Sequence, residues 1–303
     1  VQIIVVDNAS KDGTTEMLAE CFPQIAVVRN TENIGFGRAI NRGAQEATDA
    51  DVLVLINNDA VCERDFVQHL LEPFADAHVG MVAGVLLQGS APDLIDSAGI
   101  ELDSTLRSYD LLWNEPVTSL PAETDPIGPC GGAAAYRMSA FREVGGFDPA
   151  LFAYWEDVDL ALRLRDAGWL CSGAPGARAL HHHGQTLGAG SPKMRALDAF
   201  GRGFILGRYQ AANRRLSRRA EIALLDWPAL LAHLIVRREA APIRERRRGM
   251  REGRSRPPLR APVELATVNI REAIARQWRF LALRLTGRAP SHFSETEGSA
   301  APS

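Results

Sequence analysis

The apolar positions near the start of the chain come in short unbroken runs, Ile-Ile-Val-Val at 3–6 and Val-Leu-Val-Leu-Ile at 52–56, each bounded by polar turn residues. Such runs predict strands covered on both faces, the habit of a parallel sheet under helices. Between them the pattern predicts a helix over 14–22 opened by Asp12-Gly13-Thr14, a short strand at 25–28, a glycine-rich loop at 30–37 and a second helix over 38–47. This alternation of strand and helix predicts an α/β fold of the doubly wound, nucleotide-binding type.

Farther along, 66–75 reads as a helix and 80–87 as a strand, whereas 88–127, broken by Pro92, Pro116, Pro121 and Pro126, reads as irregular. A strand is expected at 133–137 and a short helix at 139–144. Over 157–167, Val158, Ala161, Leu162 and Leu164 share one face, which predicts an amphipathic helix ended by Gly168. The glycines at 184, 188 and 190 predict a mobile loop over 184–192. A catalytic domain over 1–208 is expected to be followed by an arginine-rich helical extension over 209–290. Within it 244–258 reads as disordered and 263–286 as helical, and 291–303 reads as a free tail.

Charge sharpens that division. Residues 1–204 carry 28 acids against 14 bases, a net of −14, and residues 205–290 carry 20 arginines against 7 acids, a net of +13. The overall −3 hides an acidic body with a basic appendage, which excludes a uniformly basic nucleic-acid binder, and no nucleic-acid partner is expected. Cys21, Cys62, Cys130 and Cys171 form no C-x-x-C pair, so neither a disulfide scaffold nor a structural zinc site is expected, and a reducing compartment is. No stretch reads as a signal peptide, and no run reaches the ~18–20 apolar residues of a membrane span. The expected place is the cytoplasm, with the inner face of the cell membrane within reach.

Four clusters could carry chemistry. Asp7, Asn8, Ser10 and Asp12 follow a buried strand, where ligands bind in open α/β sheets, although the same residues also suit a turn and a helix cap. Asn57-Asn58-Asp59 ends a second buried strand; a carboxylate there can hold a divalent cation against a diphosphate, or simply turn the chain. Tyr154-Trp155-Glu156-Asp157 joins aromatics to acids at a helix start. Helix polarity alone accounts for acids there, while the aromatic pair suits a general base or a sugar platform. His181-His182-His183 follows an expected strand at 177–180, and alternation along it allows at most one or two of the three to face a common ion.

The order V-V-D-N-A-S-K-D-G-T, N-I-G-F-G-R-A-I-N, I-N-N-D, G-G-A-A-A-Y-R, G-G-F-D…F-A-Y-W-E-D-V-D-L and H-x-x-G-x-T resembles the glycosyltransferase family 2 enzymes over roughly 1–190, most of all the bacterial rhamnosyltransferase-type members. The resemblance implies a GT-A fold, a mixed, mostly parallel sheet flanked by helices. It also implies a nucleotide-sugar donor such as dTDP-rhamnose or a UDP-sugar, a glycan or lipid-linked acceptor, Mg²⁺ or Mn²⁺, and inversion at the anomeric carbon. It assigns Asp7, with Asn8 and Ser10, to the nucleoside end of the donor. Asn57, Asn58 and Asp59 go to the diphosphate, Asp59 and His181 to the cation, and Gly131 and Gly132 to the donor sugar. Asp157 becomes the catalytic base, with Trp155 and Glu156 shaping its surroundings. Asn at the first two positions of the D-x-D-like motif leaves Asp59 as its one strong ligand. Family members also open with another strand and helix before V-D-N-x-S, which this sequence does not show.

Two rivals remain at this level: a sugar-1-phosphate nucleotidyltransferase, and a non-catalytic scaffold docking through its arginine-rich part. For 209–236 the alternatives are a helical cover packed on the catalytic domain and a peripheral membrane contact through Leu224, Leu225, Trp227, Leu230 and Leu231 beside arginines.

Overall fold

The computed structural model describes residues 1–182, 191–209, 216–235, 238–259 and 266–285. Strand β1 (Ile4–Asp7), helix α1 (Thr14–Cys21), strand β2 (Ala26–Arg29) and helix α2 (Phe36–Glu46) keep the expected alternation. Strands β3 (Val52–Ile56) and β4 (Ala60–Cys62) flank the 57–59 turn, and helix α3 (Phe66–Leu71) leads to β5 (Val79–Gln88), buried at every position. The stretch read as irregular over 88–127 instead carries β6 (Ala91–Ser97), β7 (Ile100–Leu102) and β8 (Ser108–Asp110). Pro92 interrupts the pattern of β6, and β7 and β8, three residues each, are too short to show a period. Then come β9 (Ala133–Arg137), α4 (Met138–Glu143), α5 (Glu156–Asp166) and β10 (Leu170–His181).

The main sheet runs β3-β9-β5-β10-β4, with β6 paired to β5. Among the described residues only the β5–β10 pair in it is parallel; β3–β9, β5–β9, β10–β4 and β5–β6 are antiparallel, so the sheet is mixed as expected but not mostly parallel. Strands β1 and β2 pair in parallel with each other and form a separate two-stranded sheet, so the first apolar run does not extend the main one, whereas the run at 52–56 is its strand β3. Side chains alternate between two cores. Ala134 and Tyr136 of β9 join Phe141, Phe147, Leu160 and Leu164 on one face, while Ala133 and Ala135 join Phe66, Leu70 and Val82 on the other.

Helices α6 (Pro192–Arg208), α7 (Leu216–Ile235), α8 (Ala241–Arg254) and α9 (Ile270–Leu285) follow. Helix α8 overturns the expectation of disorder over 244–258. Its arginines and glycines read as a chain that cannot bury enough apolar surface, yet Gly249 and Gly253 are buried against the backbone of Phe200 and Phe204, and Gly203 and Gly207 of α6 meet the backbone of Arg246 and Met250. A Cβ at any of these four positions would lie well inside 3.0 Å of a backbone atom. Small residues four apart on both helices let the backbones approach, and close packing replaces the missing side chains.

The opposed charges meet. Asp226 of α7 pairs with Arg202 and Arg246, while Asp148 pairs with Arg208 and Arg256, and Asp159 with Arg163 and Arg208. Burial alone would raise the Asp226 carboxyl, but Arg202, Arg246 and Arg107 hold it down at about 2. Buried charges persist where they are partnered, and Arg208, Arg256 and Arg276 of the basic part meet Asp148, Asp159 and Glu101 of the acidic body. Leu225 packs with Val268 and Ala273, and Leu230 is also buried, which removes both from any membrane-facing surface; Leu224 and Trp227 are exposed.

Candidate active site

Three strand ends converge. Antiparallel pairing of β3 with β9 sets Ile56 opposite Ala133, so the N–H of Asn57 donates to the carbonyl of Gly132 (3.2 Å). Pairing of β10 with β4 sets His181 opposite Ala60, one residue beyond Asp59. The imidazole Nε2 of His181 lies 3.3 Å from Asp59 Oδ1, and its Nδ1 lies 2.9 Å from Asp96 Oδ2. Burial would lower the His181 pKa, but hydrogen bonds to Asp59 and Asp96 and their charges raise it to about 9.

Asp96 went unrecognised in the sequence. Leu87 pairs with Ile95 and Leu86 with Ser97, so Asp96 is the extra residue of a β-bulge, a device that re-aims a side chain. An acid directly after the apolar pair Leu94-Ile95 is the signal that marked Asp7 after Val5-Val6, and it could have marked Asp96 too. Asp110 of β8 faces the same cleft. The residue is exposed along its strand, yet protein atoms crowding its carboxyl raise it to about 7, with Asp96 adding repulsion against a hydrogen bond from Ser97.

Across the Gly131-Gly132 segment stands Asp157, at the start of α5. Its Oδ2 accepts from the Gly131 N–H (3.1 Å) and its Oδ1 from the Val158 N–H (2.8 Å). Burial raises its pKa nonetheless, the backbone N–H groups pulling the other way. Glu156 is pushed further, to about 8, by burial and then by Asp157, and its Oε2 has no hydrogen-bond partner among the described residues. Of this coupled pair Asp157 holds the charge and Glu156 the proton, because the N–H donors converge on Asp157.

The pair predicts a pH-dependent stability. A carboxyl whose folded pKa exceeds its unfolded one stabilises the fold fully below the unfolded value of 4.5, and that contribution is lost as the pH rises towards about 8. Glu156→Gln removes this loss, so thermal melts should show the variant gaining on the wild type between pH 5 and pH 8.5, by on the order of a few kcal/mol at about 1.4 kcal/mol per pH unit. An unchanged difference across that range would contradict a buried, protonated Glu156.

Immediately before the pair, Tyr154 (φ 67°) and Trp155 (φ 73°) are both left-handed. For residues with a Cβ this costs roughly 1–2 kcal/mol each, a strain that functional sites store. Trp155 is buried, so its ring offers no open sugar platform.

The remaining expected residues serve the local loops. Asp7 accepts from the Ser10 N–H (2.8 Å) and the Thr15 hydroxyl (2.5 Å), the bonds that lower its pKa, Thr15 first. Asn8 accepts from Asn30 and the Ile34 N–H and donates to Asn33 and the Gly35 carbonyl, fastening the glycine-rich loop. Asn58 is exposed in its turn, and His182 donates its N–H to the Asp59 carbonyl (2.8 Å). His183, Gly184 and Thr186 of the H-x-x-G-x-T stretch lie outside the described residues.

One carboxylate and one imidazole anchored on a second carboxylate fit Mn²⁺ or Mg²⁺ of the kind whose shell is completed by water and diphosphate oxygens. Among the described residues no group of three or more ligating side chains would cage an ion alone.

A mixed sheet whose strand ends gather Asp59 and His181, with a hydrogen-bonded carboxylate at a strained turn across the Gly131-Gly132 segment, is an arrangement that suits the GT-A type of fold. The sequence profile described as glycosyl transferase family 2 matches residues 1–145. The chain is 30% identical over 211 residues, 62% of its length, to the N-acetylglucosaminyl-diphospho-decaprenol L-rhamnosyltransferase of Mycobacterium tuberculosis and covers 68% of that protein. Among solved structures it is similar to GalNAc-T7 with UDP, GalNAc and Mn²⁺ (TM-score 0.53, 17% identity, 69% of this chain and 44% of that one). It is also similar to a mannosyltransferase from Pyrobaculum calidifontis with GDP-Man and Mn²⁺ (TM-score 0.50, 19% identity, 96% of this chain and 75% of that one). The chain belongs to glycosyl transferase family 2 and is a rhamnosyltransferase-like glycosyltransferase. The nucleotidyltransferase and scaffold readings fall away.

Proposed function

We propose that this enzyme is an inverting, cation-dependent transferase that moves a hexose onto a hydroxyl of a glycan or lipid-linked acceptor in cell-envelope polysaccharide synthesis. The first choice of donor is dTDP-rhamnose and the second a UDP-sugar. The observation that carries this reading is the pair of stations at the two ends of one short segment: Asp59–His181 beside Asn57, and Asp157 on the N–H of Gly131. The rhamnosyl donor and polyprenyl acceptor named for the mycobacterial relative favour the same substrates here.

Asp59 and His181 would hold the cation, which supplies neutralisation of the charge growing on the departing diphosphate. Asn57, Asn58 and the Gly131-Gly132 backbone line the donor. Asp7, Asn8 and Ser10 shape its nucleoside end by fastening the loop they bond. Asp157 takes the proton of the acceptor hydroxyl as that oxygen attacks the anomeric carbon from the side opposite the leaving diphosphate. One displacement with one base leaves no covalent intermediate, and the configuration inverts. Calorimetry with Mn²⁺ and a panel of dTDP-rhamnose, UDP- and GDP-sugars tests the donor. The dTDP-sugar should bind most tightly, and equal weak binding of all would overturn the assignment.

No described helix is long and apolar enough to cross a membrane. A peripheral contact at the inner face is favoured by one feature: Arg244, Arg247, Arg251 and Arg254 lie exposed along one side of α8, opposite its glycine seam. Flotation with anionic vesicles should fall with salt and with Arg247→Glu/Arg251→Glu; equal partition to neutral vesicles would contradict it.

A further inference from the structure

The two left-handed residues before the catalytic pair need something to hold them, and the structure shows what does. The indole Nε1–H of Trp155 donates to Asp198 Oδ1 of α6 at 2.8 Å. One turn on, Gly201 leaves room for the ring, since a Cβ there would lie within 3.0 Å of it, and the Arg202 guanidinium sits 5.6 Å from the ring centroid. Arg202 is itself fixed, donating to the Thr105 carbonyl (3.0 Å), the Thr105 hydroxyl (3.1 Å) and Asp226 Oδ2 (3.2 Å), while Asp226 also receives Arg246 from α8. Helix α6 thus holds the indole directly, and α7 and α8 brace it through Arg202.

That indole belongs to the residue that starts α5. The Trp155 carbonyl accepts from the Asp159 N–H (2.9 Å), and the next two residues are Glu156 and Asp157, the latter bonded to the Gly131 N–H. Rotation of Trp155 out of its left-handed conformation would turn the peptide leading into Asp157 and draw its carboxylate off Gly131.

We propose that Asp198 and Arg202 are positioning residues for catalysis: by clamping the Trp155 indole they hold the strained turn that aims Asp157 at the acceptor hydroxyl. The arginine-rich helices are then part of the catalytic machinery. This rests on the reading of Asp157 as the base, and the experiment separates the two.

Asp198 is exposed on its helix, so its replacement tests the clamp with little cost to folding. Asp198→Ala removes the acceptor; Asp198→Asn keeps an oxygen that can take the indole proton; Trp155→Phe keeps a ring and removes the donor. Steady-state kinetics, with Mn²⁺ and the donor selected by the calorimetric panel, should show kcat falling about 10- to 100-fold in Asp198→Ala and Trp155→Phe, as for a misplaced catalytic group. The KM for the donor should stay within about twofold, Asp198→Asn should restore most of kcat, and the double variant should be no worse than either single one. The Gly131 amide resonance, read by NMR without substrate, should shift in Asp198→Ala and return in Asp198→Asn. An unmoved Gly131 resonance overturns the clamp whatever the activity does. A shifted resonance with unchanged kcat removes Asp157 as the base, and the catalytic role of the clamp with it. A rise in KM at constant kcat overturns the positioning role in favour of a donor contact.

Discussion

Replacing Asp157 by asparagine is expected to slow sugar transfer about 10²–10⁴-fold, the usual cost of losing a general base, while donor and cation affinities stay within a few-fold. The amide keeps the size of the side chain and an oxygen for one of the two N–H donors, Gly131 or Val158, but cannot take a proton at neutral pH. Donor affinity should survive because Asp157 touches the donor segment only through the Gly131 N–H. Glu156→Gln should be milder, since Glu156 already carries its proton. Burial raises the pKa of Asp157, so the acid limb of the rate profile should lie above the ordinary aspartate range, with activity lost as the pH falls through that raised value. Initial rates from pH 4.5 to 9, paired with calorimetric donor affinities, read both. A near-wild-type rate for Asp157→Asn would remove it as the base, and collapse of donor binding would make it a ligand-site residue.

Asp59→Ala and His181→Ala should each weaken Mn²⁺-dependent donor binding by about 10²-fold or more, and chelation should abolish transfer by the wild type. The two side chains are 3.3 Å apart at adjoining strand ends, a spacing that two ligands of one ion can share after a small adjustment. Asp96→Asn should cost less, about 10- to 100-fold in cation affinity, as outer partners of ligating histidines do. His182→Ala should stay near wild type, because what His182 lends the site is its backbone N–H to the Asp59 carbonyl. Titration of Mn²⁺ by electron paramagnetic resonance, in the presence of donor nucleotide, separates the variants. Chelator-insensitive transfer, or an Asp59→Ala protein with unaltered Mn²⁺ dependence, would contradict the cation site.

What was legible in the sequence was set by strand ends. Asn57-Asn58-Asp59 stood out because an unbroken apolar run stops directly before it, and His181 because it follows an expected strand at 177–180; the observed pairing of β3 with β9 and of β10 with β4 brings them to one edge. Asp157 stood out because acids and aromatics crowd a helix start. Asp96 and Asp110 were missed because Pro92 interrupts the strand of the first and the strand of the second is only three residues long, and because a bulge, which no periodicity reveals, aims Asp96 at His181. Helix α8 was misread for a different reason. Arginine and glycine score as disorder when each residue is weighed by the surface it buries, but Gly249 and Gly253 stabilise by letting two backbones touch, a gain that exists only once α6 is opposite. The balance between helix polarity and like-charge repulsion at Asp157 also lay beyond the sequence, since burial turned out to be the larger effect. Trp155, beside an acid pair, reads as a sugar platform or as a residue shaping the site; its contact with α6 and its burial leave no open platform.

The most direct test of the account is the configuration of the product. Transfer from a donor of known anomeric configuration, run with Mn²⁺ and a lipid-linked N-acetylglucosamine acceptor, gives a disaccharide whose anomeric centre can be read by NMR. A single displacement driven by Asp157 predicts inversion at that carbon, with no exchange of label between donor and free nucleoside diphosphate when acceptor is left out. Retention would demand a second displacement through a covalent or tight ion-pair intermediate, for which a single base offers no nucleophile, and would contradict the mechanism built on Asp157.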